Sequence, residues 1–139
     1  MYKILNIGAG EIDRFITVEN DNANKFKVFD YSASCTMDIS ETFNIELGKK
    51  YKMKLEFYGK VVEPENHDEF TNIIQFTLLE KEFVGKHELY LVKTNLGEFY
   101  IPVDAHTKTI EASIIKMGFY GYSRIDLVQL DGIIHPEYK

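Results

Sequence analysis

Residues 51–57 read Tyr-Lys-Met-Lys-Leu-Glu-Phe, and their alternation decides the fold class. Successive side chains of an extended chain point to opposite faces, so Tyr51, Met53, Leu55 and Phe57 share one side. Lys52, Lys54 and Glu56 take the other. A helix would scatter the same residues around its axis, so the stretch predicts a strand with one dry and one wet face. Just upstream, Phe43, Ile45 and Leu47 alternate with Asn44 and Glu46, and Gly48-Lys49-Lys50 supplies a turn. The pair predicts a hairpin of 42–47 with 51–62.

The period of two recurs downstream. Ile74, Phe76 and Leu78 alternate with Gln75 and Thr77. Leu89-Tyr90-Leu91-Val92 leads through a glycine-containing loop, Thr94-Asn95-Leu96-Gly97-Glu98, into Phe99-Tyr100-Ile101, which reads as a second hairpin. Val84-Gly85-Lys86-His87 turns the chain between 73–83 and 88–94, giving a three-strand meander. Ile125 and Leu127 mark a closing strand that Asp131-Gly132 ends, and Phe26, Val28 and Phe29 a shorter one over 25–31. One helix is predicted near 109–117. Ile110, Ile114 and Met117 fall at i, i+4 and i+7, Ile115 widens the stripe, and Gly118 sits where a C′ glycine would stop it. The expected fold is mainly β with a minor α part: an antiparallel barrel or sandwich of about seven or eight strands, with an oligonucleotide-binding (OB) barrel as a named variant. The expected core comprises Met53, Leu55, Phe57, Ile74, Phe76, Leu78, Leu91, Ile101, Ile114 and Leu127.

Length and composition narrow the function. The chain has 139 residues, which predicts one domain over 1–139. Lys and Arg number 16 against 22 Asp and Glu, a formal charge of −6, which argues against a general nucleic-acid coat. Ten Phe and nine Tyr argue against disorder. A single cysteine, Cys35, excludes an intramolecular disulfide framework, and Asp30 and Asp38 beside it would hold its thiol protonated, so it reads as a small buried hydrophobe. Residues 1–8 lack the apolar core of a signal peptide, and no apolar run reaches the ~20 residues of a membrane span. A cytoplasmic protein without a membrane association is expected.

Several motifs invite a chemical reading. Lys3-Ile4-Leu5-Asn6-Ile7-Gly8-Ala9-Gly10 resembles the strand and glycine turn of Rossmann-like nucleotide- or S-adenosylmethionine-binding enzymes, and Asp30 follows at the distance of a ribose-binding acid. Yet Asp13 stands where the third glycine should be, and no repeated βα units follow; a glycine turn between two strands is the plainer reading. His67, His87, His106 and His135 show no metal spacing with its own mechanism, and no Gly-x-Ser-x-Gly nucleophile elbow is present. No cofactor, metal or catalytic residue is assigned.

Charge and aromatic placement carry the binding readings. Residues 49–62 hold five lysines against Glu56, whereas 1–48 and 63–139 are acidic. Lys50, Lys52 and Lys54 on one strand face, with Tyr58 beyond them, suit an OB-like nucleic-acid binder; they also suit a solvated edge whose lysines deter pairing with other chains. The run Glu63-Pro64-Glu65-Asn66-His67-Asp68-Glu69 concentrates Glu63, Glu65, Asp68 and Glu69 within seven residues. Such a loop attracts a basic partner electrostatically. Phe119-Tyr120-Gly121-Tyr122 follows the predicted helix, and Tyr120 and Tyr122 are the rings expected at the surface, since Tyr is enriched at binding hot spots. The leading expectation is a non-catalytic protein-binding domain with an acidic surface. That profile is shared by immunity proteins, inhibitors that neutralise basic nuclease toxins with acids in place of nucleic-acid phosphates.

Overall fold

A computed structural model of the chain describes residues 1–8, 13–32, 43–63 and 72–139. It is mostly β, 62% strand and 9% helix, with one α-helix and a closed five-strand barrel carrying extra strands, as the alternation predicted. The chain divides into two compact units, one of Met1–Leu55 with Ile125–Lys139 and one of Glu56–Arg124.

The first unit contains β1 (Tyr2–Ile7), β2 (Arg14–Glu19), β3 (Lys25–Asp30), β4 (Lys50–Tyr51), β10 (Ile133–Ile134), the start of β5 (Met53–Val62) and the end of β9 (Met117–Leu130). Its strands run in the order β4-β1-β2-β3-β9, with β10 folded back on β9. The pairings are antiparallel except β3 with β9, where Phe29 faces Asp126. Ile4, Ile16, Val18, Val28, Leu55 and Leu127 fill its core. Asp131 and Gly132 turn the chain from β9 into β10, both at positive φ (47° and 83°), as the two-residue Asp-Gly loop requires.

The segment 43–47 corrects the expected first hairpin. Phe43 and Ile45 are buried and Asn44 and Glu46 exposed, so the alternation is real, but the described residues form no strand there. Side chains satisfy this backbone instead. Arg14 donates to the Phe43 carbonyl, the Phe43 N–H reaches the Ser32 hydroxyl, and the Glu46 N–H reaches the Tyr51 hydroxyl at 2.9 Å. With those groups partnered locally, no ladder is needed.

The second unit is the barrel. The rest of β5, then β6 (Asn72–Val84), β7 (His87–Thr94), β8 (Gly97–Pro102) and the first part of β9 follow one another around it in the order β9-β5-β8-β7-β6, and β6 closes the ring by pairing β9 from Asn72↔Tyr122 to Thr77↔Met117. The predicted meander is β6-β7-β8. β5 runs parallel to β8, with Glu56 facing Tyr100. Inside, Phe57 stacks on Phe99 with ring centroids 4.4 Å apart, and the Tyr120 ring meets Phe76 edge-on.

The helix is displaced from its predicted place. α1 spans Ala105–Ala112, because Asp104 caps it: its carboxylate accepts the Thr107 N–H at 2.9 Å while the Thr107 hydroxyl accepts the Asp104 N–H at 2.8 Å. The helix ends at Ser113, so Ile114 lies outside it, wholly exposed rather than in the core. Gly118 caps nothing; it lies in β9, where a Cβ would stand 2.8 Å from Ile110 Cδ1 and 3.0 Å from the Phe76 ring. Of the other expected core residues, Leu55, Phe57, Ile74, Phe76, Leu78, Ile101 and Leu127 are buried, and Met53 and Leu91 half-buried.

Candidate functional site

The meander places acids around two buried tyrosines. Glu80 faces Leu91 and Leu91 faces Tyr100, so these three side chains share one face of the sheet, and Glu82 and Glu98 stand on that face too. The Tyr100 hydroxyl donates to the Glu82 carboxylate. Burial, that hydrogen bond, and the charges of Glu82, Glu80 and Glu98 together push the Tyr100 hydroxyl far above its ordinary range. Lys93, opposite Glu98, is the base nearest in register. At the barrel's other face the Tyr90 hydroxyl donates to Glu111 of α1. Burial first, then Glu111, Glu88 and Asp104, push it up to about 12.

This acidic face escapes a reading of charge runs, because its carboxylates come from two strands, Glu80 and Glu82 from β6 and Glu98 from β8, and are dispersed in sequence. Strand register is the signal that assembles them: Glu80 and Glu82 at i, i+2 share a face.

The residues singled out in the sequence are placed as follows. Glu63 is exposed just beyond β5, and Glu65, Asp68 and Glu69 lie outside the described residues. Tyr120 corrects the expectation of a surface ring. It is fully buried, its hydroxyl donating to the Gly59 carbonyl at 2.9 Å, and burial raises its pKa. Tyr122 is half-buried, its ring 4.5 Å from Phe57. Tyr100 is buried, as is its neighbour Phe99. Tyr58 is 54% exposed, with the Arg124 guanidinium 4.1 Å over its ring.

The lysines do not share one strand. Lys50 belongs to β4 and faces Lys3 of β1, Lys52 lies in the break between strands, and Lys54 is half-buried on β5. A shallow groove between Lys52, Lys54 and Gln129 also holds Asp131, whose carboxylate accepts the Lys52 N–H at 2.7 Å.

The glycine motif lies between antiparallel strands, β1 and β2, where the Gly8 N–H bonds the Phe15 carbonyl at 2.7 Å; Ala9 and Gly10 are outside the described residues. Asp30, its expected ribose acid, is buried in another role. It accepts from Arg14 Nε at 2.8 Å and from the Ser32 N–H at 2.9 Å. Cys35 and His67 also lie outside the described residues, while His106 is exposed and His135 buried. Among the described residues no group of three or more His, Cys, Asp or Glu side chains could hold a metal ion, and no helix is long and apolar enough to cross a membrane.

An apolar cleft of about 1000 Å³ lies in the barrel unit between the end of β5, α1 and the start of β9, walled by Val61, Ile110, Ile115, Met117 and Phe119. Glu63, Gln75, His106, Thr109 and Ser113 are the polar groups on its wall, and the Thr109 and Ser113 hydroxyls donate to the Ala105 and Ile110 carbonyls of the helix.

Compared with known proteins, the chain matches no family model, no curated protein and no solved structure.

Proposed function

We propose that the protein is a non-catalytic binding domain that meets a basic protein through its acidic surface, in the manner of an inhibitor of a basic, nuclease-like toxin. The observation that carries this reading is the cluster of Glu80, Glu82 and Glu98 around the Tyr100 hydroxyl on the barrel meander. Three carboxylates on one rigid sheet face focus negative potential where a basic surface can approach, and Tyr100 and Leu91 give the patch an apolar floor. Exposed Glu63, and the run of Glu65, Asp68 and Glu69 after it in sequence, add acid to the same chain. The test is direct: the product of the adjacent gene, or a nuclease it identifies, is titrated with the protein at two salt concentrations. Tight, salt-sensitive association with loss of nuclease activity supports the reading; no association at low salt ends it.

A second reading, an OB-like nucleic-acid binder, is favoured by one observation, the stacked Tyr58–Arg124 pair on the barrel. The strand order agrees with it. A meander (β6-β7-β8), a helix, and then β9, with β5 parallel to β8, is the connectivity of an OB barrel whose last strand has moved to the front of the chain. The acidic meander weighs against it, since phosphates would meet Glu80, Glu82 and Glu98 there. A gel-shift assay with single-stranded oligonucleotides at low and moderate salt, using the parent protein and Tyr58→Ala, separates the two readings.

A further inference from the structure

Among the described residues, no strand pairs the outer edge of the second half of β6. β6 pairs β9 only from Asn72 to Thr77, and the Leu78 N–H bonds the Lys116 carbonyl. The ladder with β7 shifts register at Leu79, between Leu78↔Val92 and Glu80↔Leu91, and from Glu80 to Val84 no described strand other than β7 lies beside the chain. The backbone phase of this edge follows from the turn. Gly85 (φ 59°) and Lys86 form a two-residue loop, which makes Val84 and His87 a hydrogen-bonded pair. Antiparallel ladders alternate, so Glu82 also turns its N–H and C=O towards β7, and Lys81 and Phe83 turn theirs to the open side. Phe83 is 67% exposed and Leu79 46%. These are the parts of a strand-addition site: outward backbone groups, exposed apolar side chains, and a charged face.

We propose that this edge, Leu79 to Val84, receives an extended strand of a basic partner with alternating basic and apolar residues. The inference rests on the acidic-surface reading above and names how the partner docks. Basic side chains of the added strand would stand beside Glu80 and Glu82, and its apolar ones beside Phe83 and Leu79. Residues 79–88 carry Glu80, Glu82 and Glu88 against Lys81 and Lys86, so the hairpin is acidic on balance. A second copy of this chain fits poorly. The register that would set Lys81 opposite Glu82 pairs an outward-facing residue with an inward-facing one, which the ladder forbids. Of the permitted registers, one centred on Lys81 sets like charges opposite, those centred on Glu80 or Glu82 set that acid against its own copy, and one centred on Phe83 leaves Glu82 opposite Val84 with no basic residue to meet it.

The test uses the full chain and a synthetic peptide alternating lysine and valine, with poly-lysine as a control that carries charge alone. Amide hydrogen exchange is followed residue by residue by NMR. The expected result is fast exchange at Lys81 and Phe83 in the free protein, slowed about tenfold or more by the peptide, with Glu82 slow throughout. Lys81→Pro removes one outward donor without touching the β7 ladder, and proline is tolerated on such an edge. It should weaken peptide binding about tenfold while poly-lysine, which gains from the lost positive charge, binds at least as well as before. If circular dichroism shows Lys81→Pro unfolded, Phe83→Ala provides the same contrast through the apolar face. Peptide binding with unaltered exchange at Lys81 and Phe83 would overturn strand addition while leaving the acidic-surface reading standing. Binding of neither peptide nor poly-lysine at low salt would sink both. Slow exchange at Lys81 and Phe83 in the free protein would mean an edge already occupied, which also overturns the proposal; sedimentation at several concentrations would then show whether a second copy occupies it.

Discussion

The Tyr100 hydroxyl reaches across β7 to the carboxylate of Glu82, joining β8 to β6 over an intervening strand. The bond fixes an acid on the outer face of the barrel and gives a buried phenol a charged acceptor. It also ties the stability of the meander to pH.

Alkaline pH should unfold the barrel through its tyrosines. Tyr90, Tyr100 and Tyr120 all have raised pKa values, with burial the largest cause in each, whereas an unfolded tyrosine ionises near 10. A raised folded pKa means stability that is complete below about pH 10 and falls as pH rises beyond it. Thermal melts from pH 8 to 11.5 should show a steep fall above pH 10, and Tyr100→Phe should make the fall shallower. An identical slope in the variant would refute the assignment.

Gly59 should accept no side chain. A Cβ there would lie 1.8 Å from the Gly121 carbonyl oxygen and 2.7 Å from the Tyr122 Cα, both backbone atoms that cannot swing aside. Gly59→Ala must part β5 from β9 and disturb the Tyr120 bond to the Gly59 carbonyl. The expected cost is above about 4 kcal/mol, measured by urea denaturation. A loss below about 1 kcal/mol would show that the strands have room the close approach denies.

Mild acid should weaken the first unit through His135. Its ring lies between Tyr31, Phe43 and Tyr138; Nδ1 accepts the Glu137 N–H at 3.1 Å, and the buried Nε2 has no hydrogen-bond partner among the described residues. Burial lowers its pKa, opposed by the charge of Asp30. The unfolded imidazole takes up a proton near pH 6.5 and the folded one only lower, so stability is complete above that pH and declines as pH falls through it, by at most about 1.4 kcal/mol per pH unit. Denaturant midpoints at pH 7.5 and 5.5 should differ in the parent and converge in His135→Phe. A difference that persists in the variant would assign the acid limb elsewhere.

Much of this architecture is legible in sequence where burial is one-sided. The stretch 51–57 and the first half of β6 betray themselves by period two, since each has one face in a core, while β7 and β8, buried on both faces, show as short apolar runs between turns. Legibility fails where something other than a repeat satisfies the backbone. Phe43 and Ile45 alternate like a strand, yet Arg14, Ser32 and Tyr51 supply the hydrogen bonds that a ladder would have made. Ile110, Ile114 and Met117 have helical spacing by coincidence, and the decisive signal was the Asp104–Thr107 cap three residues apart. Tyr120 was misplaced because β9 begins at Met117, earlier than its Ile125–Leu127 alternation suggested. The acidic face around Tyr100 needed register, which no single run of residues contains.

The central claim is most directly tested by the association rate of the protein with a basic nuclease-type partner, comparing the parent with Glu80→Gln, Glu82→Gln and Glu98→Gln combined. Glu80 and Glu98 are exposed, and a glutamine at 82 can still accept the Tyr100 O–H, so the thermal midpoint should change by only a few degrees. The account predicts association slowed about tenfold at low salt, with a flatter salt dependence, and little difference at high salt. An unchanged association rate at low salt, with the partner bound as tightly as before, would contradict it.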